Sequence, residues 1–523
     1  MTKTSYFITL LFVFILSQNL ITSSSVEIDF SKTEPIQNPD LCDNLPYRYA
    51  PEAFYFVPVL RAKLYKVGEK YSFSSRCFQQ NIISLKEISV DSITLFLENK
   101  NKTETFCSEL FILHTSNKNF LQFVAFAGEH EIVIERVSKD DKDEIKVNGI
   151  KLLGFCNGLF TSLKSLYNSI KLFYGGLGLD PNAKNPRFRP NIPKDQEKAN
   201  LRLMDLFVHF TPERRKNNTI VQIDKSQIHT GDFLAIFRLD GLDNIIMLGS
   251  GGHSGHTAVC AWMDGELYVF ESQSGWYWPK ENIQKTKWDE WIQYAYNADF
   301  NVILLPLREE YRNKLNETKA NEWFTNVVEG LPYGYHNFIS GWIDTENDNF
   351  PFGIGNYLIE LIFSILSKVY TPFSDLLITE SLNIRLNTKG LTLQQAIAEA
   401  ARRGKSFEQL IAEPEVDGIE YSDGLSYVCS SFVVAYWKNG GMFEGLTINP
   451  PEFVDRDIYQ MDIFDKNYQR PQECIDDNPD LPYCQIMGKF IFTLDGYSTI
   501  KPYSNMFEKC PSVGPYFIRE EGC

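Results

Sequence analysis

Cys429 opens the run Cys429-Ser430-Ser431-Phe432-Val433-Val434-Ala435-Tyr436-Trp437, and His256 lies far upstream in Gly255-His256-Thr257-Ala258-Val259. A thiol becomes a strong nucleophile when an imidazole takes its proton and a polar group orients that imidazole. Glu271, at the end of Gly265-Glu266-Leu267-Tyr268-Val269-Phe270-Glu271, is the candidate for the third role. Ser272 and Gln273 are nearby substitutes. The chemistry on offer is attack on an amide or ester carbonyl through a thioester.

These side chains need particular elements to hold them. The run from Cys429 is apolar and stops at Asn439-Gly440-Gly441, which predicts a helix ending on glycine. Ser426 or the Asp423-Gly424 turn is placed to cap its start. Unpaired N–H groups at a helix N-terminus favour a thiolate over a thiol, whose ordinary pKa is about 8.5. The same groups can bind an oxyanion. Alternation predicts strands at His256 to Met263 and Leu267 to Glu271, joined by an Asp264-Gly265 hairpin turn. Such a hairpin can set Glu271 beside His256. The small residues Gly252, Gly255 and Ala258 would let another element approach closely. His253, His256 and Cys260 make a poor zinc set, because His253 and His256 would face opposite sides of a regular strand. No metal or cofactor is expected.

Tyr427, Ser430, Tyr333, Tyr335 and His336 are candidates for substrate contact. Trp276, Tyr277, Trp278, Trp288 and Trp291 crowd the segment after Glu271 and read as core or cleft wall. A sugar- or lipid-binding platform is the alternative.

Elsewhere the chain divides by composition. Lys3, the apolar stretch Tyr6 to Leu16 and the small polar residues Thr22 to Ser25 read as a signal peptide over 1–25, with a membrane anchor as the rival. Residues 26–148 predict a β-rich sandwich or barrel, with strands at Phe54 to Leu60, Ser92 to Leu97 and Ile132 to Val137. Residues 149–220 read as helical and linking, with a helix at Leu159 to Phe173. Residues 221–449 carry the chemistry and include an insertion at about 345–424. Its apolar segment Tyr357 to Tyr370 is too short to span a membrane and predicts a core or lid helix. Residues 450–523 predict a loop-rich tail that bears cysteines.

Cys42, Cys77, Cys107 and Cys156 form one cluster and Cys474, Cys484, Cys510 and Cys523 another. Pairing within each cluster is expected in an oxidising compartment, Cys474 with Cys484 among the options. Cys260 and Cys429 are left free, the former as a buried thiol; a disulfide between them is the rival. Sequons at Asn101, Asn217 and Asn316 suit a secretory route. A net charge of −16 argues against nucleic acid as a partner.

A Gly231-Asp232 strand, then Gly255-His256, then a downstream Cys429-Ser430 helix resembles the circularly permuted papain-like fold. Lecithin retinol acyltransferase relatives and bacterial permuted NlpC-type hydrolases are members. In ordinary NlpC-type peptidases the cysteine helix comes first; here it comes last. Gly330-Leu331-Pro332-Tyr333-Gly334-Tyr335 is similar to the Gly-x-Pro-Tyr segment that precedes the cysteine helix in permuted relatives. The resemblance covers roughly residues 221 to 445, less the insertion. It implies an α+β domain, an antiparallel sheet plus the cysteine-bearing helix, with Cys429 as nucleophile, His256 as base and Glu271 as the polar third residue. The β-rich N-terminal domain and disulfide-bearing C-terminal tail depart from the compact family pattern.

The expected function is a secreted or endolysosomal cysteine hydrolase with no stable transmembrane segment in the mature chain. Its partner is a peptide, amide or lipid substrate. Lipid esters draw support from the apolar segment at Tyr357, peptide amides from the disulfide-rich setting. The alternatives are a catalytically inactive binding protein on the same fold, a lipid acyltransferase or phospholipase, and a secreted structural protein.

Overall fold

The computed structural model describes residues 58–155, 162–163, 192, 194–205, 210–273, 282–340, 354–413 and 415–506. The signal peptide, the Leu159 to Phe173 helix apart from residues 162–163, Trp276 to Trp278 and the cysteines Cys42, Cys156, Cys510 and Cys523 fall outside these residues. The protein is mixed α+β and forms two compact units. One joins Leu10–Lys171 to Phe350–Glu413; the other joins Leu172–Asn349 to Pro414–Cys523, together with the first nine residues.

The first unit contains strands β1 (Val59–Leu64), β2 (Lys70–Phe73), β3 (Phe78–Ile88), β4 (Ser92–Lys102), β5 (Glu109–His114), β6 (Asn119–Val124), β7 (Gly128–Glu135) and β8 (Ile150–Gly154). They build two four-stranded antiparallel sheets, ordered β1-β8-β5-β6 and β2-β3-β4-β7. In β4 the apolar residues Ile93, Leu95 and Leu97 alternate with less buried neighbours, as a one-sided sheet requires. Both sheets feed one apolar core, which also holds Cys77 and Cys107, joined as a disulfide.

The segment read as an insertion supplies most of the described helices of this unit. Helix Ile354–Val369 packs on β1, and helix Leu393–Arg402 packs on helix Lys139–Asn148. Leu358, Leu361, Ile362, Phe363 and Leu366 are buried, each stabilising the unit by about 1.5–3 kcal/mol. Most of the apolar surface of this helix is thus buried in a core, with Ile365 and Val369 exposed, and its support for a lipid substrate weakens accordingly. No described helix is long and apolar enough to cross a membrane.

The helix also carries a charge inward. Lys151 Nζ of β8 donates to Glu360 Oε2 at 2.6 Å, and His114 Nε2 of β5 lies 3.4 Å from Glu360 Oε1. Burial opposes the carboxylate, but Lys151 and His114 hold the Glu360 pKa well below the ordinary range. Burial likewise opposes the Lys151 ammonium, and Glu360 outweighs it. Glu144, buried beside the pair, is pushed up by burial and then by Glu360.

The second unit is built on a six-stranded antiparallel sheet. Its strands are β9 (Phe233–Phe237), β10 (His256–Met263), β11 (Glu266–Gln273), β12 (Asn282–Lys287), β13 (Asn301–Leu305) and, after a two-stranded ribbon of β14 (Glu420–Tyr421) and β15 (Gly424–Leu425), β16 (Cys484–Met487). The order is β12-β11-β10-β9-β13-β16. Asp264 and Gly265 both have positive φ, 53° and 78°, and close the β10–β11 hairpin as expected. Every residue of β9 and β13 is buried, so both faces of the sheet are covered. The region read as a tail contributes the edge strand β16, clipped by the Cys474–Cys484 disulfide.

Removing one member of the buried pair leaves the other uncompensated. Lys151→Met should destabilise the first unit by about 3–5 kcal/mol in urea unfolding, and Lys151→Met with Glu360→Met should cost less than either alone. Glu360 has a lowered folded pKa. Its contribution is therefore present above the unfolded carboxylate range, about 4.3, and is lost as pH falls below it.

Candidate functional site

The helix Cys429–Asn439 is buried from Cys429 to Trp437 and packs on β10 and β11. Phe233 meets Trp437 and Phe270 meets Tyr436, with ring centroids 5.9 and 5.8 Å apart. Val428 is the N-cap and no side chain caps the helix, so neither Ser426 nor the Asp423-Gly424 turn takes that part. Cys429 is the first helical residue.

The pairing of β10 with β11 ends at Val259–Phe270, although the strands run on to His256 and Gln273. Past that point their side chains find other partners. Ser272 Oγ donates to the Tyr427 carbonyl at 2.7 Å, fixing the chain just before Cys429. Thr257 lies against the Cys429 sulfur. His256 Nε2 and Glu271 Oε2 are 2.9 Å apart and tie the two strands together by side chains. Trp291 Nε1 donates to the other Glu271 oxygen at 3.1 Å.

Glu271 is fully buried, with both oxygens engaged, so it is an orienting acceptor. An imidazole that donates Nε2–H to a carboxylate keeps Nδ1 as its basic nitrogen. The expected His256–Glu271 pair is therefore formed. Cys429 and His256 share no hydrogen bond. His256 and Thr257 are successive strand residues with side chains to opposite faces, and it is Thr257 that faces the sulfur.

The sulfur instead donates to Asp455 Oδ1 at 3.7 Å. Tyr333 also hydrogen-bonds Cys429. Burial and then the Asp455 carboxyl push the Cys429 thiol well up; Thr257 and the Ser430 N–H pull the other way. Burial pushes Asp455 up to about 8, helped by Asp457. Burial and Cys429 likewise raise Tyr333. The resting group is a neutral thiol.

Gly334 explains how the Gly330-Leu331-Pro332-Tyr333-Gly334-Tyr335 segment reaches this point. Its N–H donates to the Tyr427 carbonyl at 3.0 Å, and a Cβ there would lie 2.2 Å from the Tyr427 carbonyl carbon and 2.4 Å from Val428 N. Gly255 is similar: a Cβ would lie 2.7 Å from Asp243 Cα.

Of the residues expected to contact substrate, Tyr333 and Ser430 lie at the sulfur. Tyr335 is half-buried, its ring 5.0 Å from that of Tyr333. Tyr427 is turned to Asp417, its hydroxyl 2.9 Å from Oδ1. His336 stacks on Tyr421 and meets Asp423 Oδ1 at 3.1 Å. His253 stacks on Phe210 and bonds the Thr493 carbonyl. Cys260 and Cys429 are free and buried, so the rival disulfide is not formed. Asn101, Asn217 and Asn316 are all exposed.

Asp455 and Thr257 were not singled out in the sequence. Thr257 sits beside His256 and could have been found from strand alternation. Asp455 lies in Phe453-Val454-Asp455-Arg456 with no spacing that links it to Cys429. Comparison with protein-family models, with curated proteins and with solved structures finds no match.

Gly334→Ala should cost about 3 kcal/mol or more in urea unfolding, since the clash is with backbone at the start of the cysteine helix. In the folded protein the midpoint for Cys429 alkylation, read by peptide mass spectrometry, should lie above the value for the same thiol in the unfolded chain, about 8.5.

Proposed function

We propose that this chain is a cysteine-dependent hydrolase acting on an amide or ester carbonyl, on a scaffold like that of the permuted papain-like proteins. One observation carries the reading. A cysteine at a helix N-terminus packs at the start of β10, the strand that also carries an imidazole oriented by Glu271, itself held by Trp291. The antiparallel sheet, the cysteine at a helix N-terminus and the close Gly334 contact support the scaffold.

Cys429 would attack the carbonyl carbon, its proton passing to His256 Nδ1 and then to the leaving group. Water would resolve the thioester with His256 again as base. Because the resting thiol is neutral and His256 points to the opposite face of β10, that transfer needs the sulfur to leave Asp455 and the proton to pass round the start of the strand, where His256 is the first residue. The disulfides and exposed sequons suit a secreted or endolysosomal setting. Peptide-like amides are the favoured substrate class, since the apolar helix that argued for lipid lies in the core of the other unit.

A second reading, a binding protein without turnover, is favoured by the same buried, neutral thiol. The two separate on one experiment. With activated peptide amides and acyl esters, the hydrolase forms a Cys429 thioester detectable by intact mass after acid quench. Cys429→Ala should abolish it and His256→Ala should slow it about 10²–10⁴-fold. Absence of any Cys429 adduct across both substrate classes would leave the binding protein.

A further inference from the structure

Asp455 is a proton-bearing partner of the nucleophile, and half of its carboxyl has nothing to do at rest. Oδ1 accepts the Cys429 S–H. Oδ2 is buried and has no hydrogen-bond partner. The titratable groups that face this carboxyl are Cys429 from the helix, Tyr333 from the segment before it, and Asp457 on its own turn. All three are acids and, among the described residues, no cation pairs with Asp455, so it is neutral up to about pH 8. A neutral carboxyl accepts through its carbonyl oxygen and donates through its hydroxyl. With Oδ1 accepting from sulfur, the hydroxyl belongs on Oδ2. A buried donor without an acceptor is costly unless an acceptor arrives with a ligand.

We propose that Asp455 is a catalytic residue that donates a hydrogen bond from Oδ2 to the carbonyl oxygen of the substrate while Cys429 attacks its carbon. The proposal rests on the thioester reading above. As the Sγ–C bond forms, the carbonyl π pair moves to oxygen and Asp455 holds the resulting anion. The thiol proton goes to His256, and Asp455 keeps its own. When the pair returns, the leaving group departs with the proton from His256. A neutral carboxyl next to a nucleophile thus supplies a donor aimed at developing charge.

The test compares two reactions of Cys429 in the full-length protein. Acylation by p-nitrophenyl acetate passes through an oxyanion; alkylation by iodoacetamide does not. Asp455→Ala should lower the ratio of acylation to alkylation about 10²-fold. Asp455→Asn, which keeps an N–H donor, should restore most of it. In the wild type the ratio should fall as pH rises through about 8, where the donor ionises, and in Asp455→Asn it should stay flat. Thermal melts would check that both variants fold; Asp455→Asn, the near-isosteric one, carries the pH test alone if Asp455→Ala does not. A ratio unmoved by either variant, or equally low in both, overturns the proposal and leaves the hydrolase reading intact. Wild-type protein that alkylates at Cys429 but never acylates overturns the hydrolase reading itself.

Discussion

The start of the cysteine helix fits into the stretch where β10 and β11 no longer pair, and the surrounding structure depends on that fit. Strand residues there keep their pairing to β9 and β12 but have, on the facing edges, backbone groups that a continuing ladder would have engaged, and their side chains meet the incoming segment. Ser272 turns to the Tyr427 carbonyl, Thr257 to the sulfur, and His256 and Glu271 to each other. The approach is close enough that Gly334 has no room for a side chain. Trp437 and Tyr436 anchor the rest of the helix on β9 and β11, which sets the depth at which Cys429 sits.

Two buried acids show how the same desolvation yields opposite states. Glu360 has Lys151 at 2.6 Å and stays ionised in the core of the first unit. The titratable groups that face Asp455 among the described residues are a thiol, a phenol and another carboxyl, and it takes a proton. The first arrangement fastens a helix to a sheet, since either charge alone would be strongly unfavourable there. The second leaves a neutral group with spare hydrogen-bonding capacity beside a nucleophile. Burial sets the stakes in both places; the presence or absence of a cation decides the outcome.

The cysteine helix, the β10–β11 hairpin, its Asp264-Gly265 turn and the His256–Glu271 pair were legible in the sequence, because each depends on near neighbours. Periodicity, a turn dipeptide and hairpin register are local properties, and side chains two residues apart across a hairpin have little freedom to miss each other. Free Cys429 and Cys260 followed from the spacing of the other cysteines. The assignment of residues 354–413 was different. Their apolar spacing predicted helices but not which core would take them, and the partners of Glu360, Lys151 and His114, lie more than 200 residues away along the chain. Likewise β16 read as loop, because four residues carry too weak a pattern to announce an edge strand.

Which atom stands beside the Cys429 sulfur was beyond the sequence. Its neighbours come from Thr257, Tyr333 and Asp455, far apart along the chain, and no repeat or motif links them. By itself the sequence determined the reactive groups and the local elements that carry them. Only the tertiary structure decided that the thiol rests neutral against Asp455 and not against His256. Protonation state depends on burial and on the charges within a few ångströms, and both are set by how distant segments pack.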